Sequence, residues 1–126
     1  MKMILVIAAG GACGAVARHL VNNQVTAWFG DGFPWGILTA NVAGSFFMGI
    51  LVGAAELVWA SSQEVRAFLM VGFLGAFTTF STFTVQVALL YERGQMALAA
   101  LYIVLSVLLA IGGLFAGLAL VKSVAL

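Results

Sequence analysis

The chain has 126 residues, 64% hydrophobic and 7% charged, with a formal net charge of +1 and a mean hydropathy of +1.20. A soluble domain carries about 25% charged residues, so this composition excludes an ordinary soluble fold and places the chain in the membrane class. The balanced charge excludes a nucleic-acid footprint or an acidic tail, and the single Cys13 excludes an internal disulfide or a cysteine metal cluster.

The first element is apolar from Met3 and continues past Arg18 and His19 to Val21. Met1 and Lys2 in front of it fit the start of a secretory signal. Gly10 stands where a lipoprotein cleavage site needs a larger aliphatic residue, and three further spans follow, so the segment reads as a span over about 3–21. Cys13 and His19 read as structural. The second charge-free run is 24 residues, Gly32 to Ala55, and carries Asn41 at its middle. The third is 25 residues, Ala67 to Tyr91, and the fourth is 28, Gly94 to Val121, with Tyr102 and Ser106 as its polar features. A spanning helix needs about 20 apolar residues. The expectation is an all-α membrane protein: one transmembrane domain over 1–126 with spans at about 3–21, 33–57, 66–91 and 95–121.

Four spans put both termini and the second connection on one side. Lys2, Arg66 and Lys122 then face Arg18 and Arg93 across the bilayer. Three against two gives the positive-inside rule little to act on. A weak signal in a short protein and insertion in both orientations, as an antiparallel dimer, both fit that count. The pairs Gly10/Gly14, Ala40/Gly44, Gly49/Gly53 and Gly113/Gly117 are small residues at i, i+4. Such pairs let membrane helices approach closely.

The third span is the unusual one. Thr78, Thr79, Ser81, Thr82 and Thr84 are interleaved with Phe73, Phe77, Phe80 and Phe83 at its centre. Thr79, Thr82 and Gln86 share one helical face, and the phenylalanines form a second stripe. One reading is a polar seam joining two helices, with the rings toward lipid. The other is a helix broken near the midplane, since Gly72 and Gly75 weaken a helix and the threonines compete for its backbone hydrogen bonds. Broken helices at membrane depth expose carbonyl and N–H groups that hold ions. Amide and hydroxyl donors with the positive edges of phenyl rings, and no buried cation, suit a small anion in weak, releasable sites.

Three motifs, GGACGAVAR at 10–18, WGILTANVAGSF at 35–46 and GFLGAFTTFSTF at 72–83, resemble the bacterial fluoride channels of the Fluc (CrcB) family over nearly the whole chain. The resemblance implies an antiparallel, dual-topology homodimer in the bacterial cytoplasmic (inner) membrane, multi-pass, with two fluoride pathways. It implies passive export of F⁻ that relieves fluoride toxicity, with no catalysis and no nucleic-acid partner. By resemblance, Asn41, Phe80, Phe83, Ser81, Thr82 and Tyr102 belong to the pathway, and Arg18 to an electropositive vestibule, unless it merely snorkels to the interface. The backbone carbonyls of Gly75 and Thr78 from both subunits would hold one structural Na⁺. Gln86 departs from the glutamate common in relatives and is read as a polar wall residue. Two alternatives remain: a small multidrug-type cation exporter, which needs a membrane-embedded carboxylate, and a non-transporting assembly subunit.

Overall fold

A computed structural model describes residues 1–125. Within them the chain is helical with no strand, and four segments are long and apolar enough to cross a membrane. Helix α1 spans Lys2–Phe29, beyond the apolar run that ends at Val21, because residues 22–29 contain no helix breaker. It stops at Gly30, whose φ of 80° is the left-handed conformation that glycine adopts freely, with its N–H donating to the Thr26 carbonyl at 2.7 Å. Helix α2, Trp35–Leu57, follows Pro34, a residue suited to a helix start because it lacks the N–H that would go unpaired there.

The third span comes in two pieces. The first, α3 (63–77), opens with Gln63–Arg66, capped by the Ser62 hydroxyl accepting from Val65 N–H at 3.2 Å. It widens into a π-helix over Ala67–Leu74 and closes with the turn Gly75–Phe77. Thr78 is extended, at φ −87° and ψ 157°. Helix α4, Ser81–Glu92, then resumes, and α5, Met96–Ala125, completes the bundle. The interruption therefore falls on Thr78–Phe80. Gly72 and Gly75, expected to weaken the helix, both lie in helical geometry.

Helix α1 packs along α3, and α2 along α5. These seams use the small-residue pairs. A Cβ on Gly14 would collide with the Phe73 carbonyl, and one on Gly117 with the Phe46 carbonyl. Two apolar clusters flank the interruption. Ala40, Leu74 and Phe77 lie on the α3 side, and Phe33, Leu38, Phe83, Leu90, Ala99 and Tyr102 on the α4 side. Much of the remaining apolar surface, including Leu108 and Phe115 of α5, is exposed in the single protomer, as a helix facing lipid or another subunit requires.

Candidate functional site

The site is built around the interruption. In a continuous α-helix each N–H donates to the carbonyl four residues earlier. Thr79 N–H would then cover the Gly75 carbonyl, and Thr82 N–H the Thr78 carbonyl. Both donors are taken elsewhere. Thr79 N–H donates to Asn41 Oδ1 at 2.7 Å, and Thr82 N–H donates to Thr79 Oγ1 at 3.1 Å. The second contact is an N-cap that starts α4. Asn41 and Thr79 thus release the two carbonyls while satisfying the N–H groups they lost. Asn41 closes a second bond, its Nδ2 donating to the Thr79 carbonyl at 3.1 Å. The pair fixes the amide so that Nδ2 keeps one further N–H to offer.

Beside this amide lies a cavity of about 330 Å³, lined by Asn41, Ser45, Thr78, Thr79, Phe80 and Phe83, with Ser106 and apolar residues of α5 opposite. No charged side chain lines it. The Phe80 and Phe83 ring centroids are 5.5 Å apart. Phe83 is buried, whereas Phe80 is 76% exposed, so its ring hangs at an open side of the protomer. The Ser106 hydroxyl is buried without a hydrogen-bond partner, which leaves a donor aimed at nothing in the protomer itself.

Of the pathway residues expected from sequence, Asn41, Phe80 and Phe83 meet at this cavity. Ser81, Thr82 and Tyr102 lie off it. The Ser81 carbonyl accepts from Thr84 Oγ1 at 2.7 Å, and its side chain is exposed beside Thr79. Thr82 takes part through its backbone N–H. Tyr102 is fully buried behind Phe83, with centroids 5.0 Å apart, and its O–H donates to Gln86 Oε1 at 2.7 Å. The face shared by Thr79, Thr82 and Gln86 is therefore no continuous seam, since the interruption rotates Thr79 into a capping role. The phenylalanine stripe is split as well: Phe77 stacks on Phe73 and is buried, on the other side of the break.

Arg18 is displaced from its expected place near the end of the first helix. It sits well inside the longer α1 and is half-buried, and Nη1 donates to the Thr78 carbonyl at 3.4 Å. This takes Arg18 out of the loop-charge count and leaves Lys2, Arg66 and Lys122 against Arg93. Sequence reading left out Ser45 and Ser106 as site residues. Both carried a signal: Ser45 falls one turn after Asn41, and Ser106 is the one aliphatic hydroxyl between Gly94 and Val121.

A helix bundle with four membrane spans, an interrupted third span and a neutral, donor-lined cavity beside the interruption defines a polytopic membrane protein equipped to pass a small ion or solute. A family model described as "CrcB-like protein, Camphor Resistance (CrcB)" matches residues 5–118. Among curated proteins, a "Fluoride-specific ion channel FluC" of Rhodospirillum centenum is 56% identical over 123 residues, covering 98% of both chains. Proteins of the same name from Nitrobacter winogradskyi and Rhodopseudomonas palustris are each 49% identical, covering 94% and 95% of this chain and 94% and 97% of their own. The chain belongs to the CrcB-like family.

Proposed function

We propose that this chain is a fluoride channel, a multi-pass protein of the bacterial inner membrane that lets F⁻ leave the cytoplasm passively. The observation that carries the reading is the neutral cavity joining the clamped Asn41 amide to the Phe80 and Phe83 rings. Fluoride entering it exchanges water for the free Asn41 N–H, the Ser106 hydroxyl and ring edges, which carry partial positive charge. None of these is a full cation, so the ion is held weakly enough to move on. An inside-negative potential adds about 2.3 kcal/mol per 100 mV in the outward direction.

The exporter alternative lacks its essential group. Among the described residues Asp31 lies in a connection, and Glu56, Glu64 and Glu92 lie at helix ends. No carboxylate lines the midplane cavity.

The working unit in this reading is an antiparallel homodimer with two pathways. The exposure of Phe80 and of Gly75, on either side of the interruption, supports a second subunit covering them. Dual topology rests on the family resemblance, because the loop charges with Arg18 removed are uneven. The Gly75 and Thr78 carbonyls, both released from their helical N–H donors, fit a structural Na⁺, for they lie at the C-terminal end of a half-helix, where the dipole favours a cation. Arg18, already on the Thr78 carbonyl, would share that negative end.

The test is fluoride efflux from liposomes containing the purified protein, read with a fluoride electrode beside a matched chloride run. Rapid fluoride release with negligible chloride release is expected. No fluoride release from a folded, dimeric sample would sink the reading.

A further inference from the structure

An apolar groove of about 330 Å³ lies on the α1–α3 seam, near the end where both helices begin. It is lined by Val6 of α1 and by Glu64, Val65, Phe68 and Leu69 of α3. The two helices run in the same direction, since Gly10 meets Phe68 and Gly14 meets Phe73. Their first turns, with Lys2 on one and Glu64 on the other, therefore lie at the same membrane face.

The groove is built from residues four apart. Val6 follows Lys2 at that spacing, Phe68 follows Glu64, and Leu69 follows Val65. Residues so spaced share a helical face. Each of the two charges thus stands at the surface end of an apolar wall that runs on into the membrane. Lys2 Nζ and Glu64 Oε1 are 3.9 Å apart, and the side chains are 81% and 39% exposed. An exposed pair this long contributes little stability, so either charge can turn to a ligand at small cost.

One cation and one anion above an apolar wall are the mirror of a zwitterionic lipid. A phosphate pairs with the Lys2 ammonium. A primary ammonium has three N–H donors for the Glu64 carboxylate, as a lysine has. A quaternary ammonium has none, and a headgroup that carries only a phosphate meets Glu64 as a like charge.

We propose that this groove binds one phosphatidylethanolamine molecule per protomer. Its phosphate lies on Lys2 Nζ, its ammonium on the Glu64 carboxylate, and one acyl chain runs along Val6, Val65, Phe68 and Leu69. The lipid fastens the start of α1 to the start of α3. The groove shares no residue with the midplane cavity, so the site stands whatever crosses there.

The test is native mass spectrometry of the purified protein in detergent with equal amounts of dioleoyl phosphatidylethanolamine, phosphatidylcholine and phosphatidylglycerol. Wild-type protein retains the ethanolamine lipid over the other two by about fivefold, the factor contributed by one charge near a headgroup. Glu64→Gln removes the preference over phosphatidylcholine and moves binding toward phosphatidylglycerol. Lys2→Gln lowers retention of the ethanolamine lipid. Val65→Trp, at an exposed position on the wall, fills the groove and removes adducts of all three. Equal retention of the three lipids by wild type overturns the site, as does an ethanolamine preference that survives Glu64→Gln. Wild-type protein without adducts, with Val65→Trp lowering the dimer fraction, also overturns it and assigns the groove to a second copy of the chain. Melting in lipid-free detergent verifies folding, and where Val65→Trp does not fold, the exposed Glu64→Gln change decides alone.

Discussion

Replacing Asn41 by aspartate changes one nitrogen to oxygen and asks two questions of the site. The wild-type amide accepts from Thr79 N–H at 2.7 Å and donates to the Thr79 carbonyl at 3.1 Å. Aspartate retains the first contact. It loses the second and sets a carboxylate oxygen against a carbonyl oxygen, at a cost of about 1–3 kcal/mol for the unpaired buried group. The larger effect is on the ion. A carboxylate on the cavity wall about 4 Å from a monovalent anion repels it by about 4 kcal/mol at an effective dielectric constant of 20. At about 1.4 kcal/mol per decade, that lowers anion occupancy by about three orders of magnitude. The expected result is a folded protein with a modestly lowered melting temperature and fluoride efflux at the level of empty liposomes. Efflux indistinguishable from wild type would refute the placement of Asn41 on the pathway, because no reorientation of an ionised carboxylate recovers the lost donor.

Three further substitutions probe separate parts of the structure. Ser106→Ala removes a buried hydroxyl that has no partner, so thermal stability holds or rises by up to about 1 kcal/mol while fluoride efflux falls; a loss of both would mean the hydroxyl is structural. Gly14→Ala drives a methyl into the Phe73 carbonyl at the α1–α3 seam, and overpacking of this kind costs about 1–3 kcal/mol, read as a lower melting temperature in detergent. Phe80→Ile keeps an apolar side chain on an exposed position but removes the ring edge. Efflux drops with little change in melting, and unchanged efflux would exclude Phe80 from ion contact.

The spans were legible from hydropathy because lipid imposes length and charge constraints that a single sequence displays directly. The interruption was legible in outline, through its hydroxyls. Its cause was less legible, because glycine propensity pointed to Gly72 and Gly75, which both stay helical. Gly72 remains helical because its missing side chain serves packing against α1, where an added Cβ would press on the Ile7 carbonyl at 2.8 Å. The break lies where side chains can take over backbone N–H groups, and that depends on Asn41 of another helix. A contact between residues 38 positions apart leaves no periodicity to read. The same holds for Arg18. Its charge marked a helix end by the rules of loops, yet the helix continues and the guanidinium reaches a carbonyl 60 residues away.

The two contacts of Asn41 bind the cation and anion halves of the proposed site into one device. By taking Thr79 N–H, the amide keeps that donor off the Gly75 carbonyl; by offering its remaining N–H, it faces the cavity. Asn41→Ala removes the competitor, and Thr79 N–H can return to Gly75 as an ordinary helical bond. The carbonyl is then covered and less able to hold a cation. A site filled at about a hundred times its dissociation constant contributes about 2.7 kcal/mol of stability, so wild-type protein should melt higher in sodium chloride than in the chloride of a large organic cation. Asn41→Ala should shrink that difference as well as abolish efflux. If efflux is lost while the sodium-dependent shift stays at its wild-type size, Asn41 acts on the anion alone, and the release of Gly75 must be credited to the interruption's own backbone.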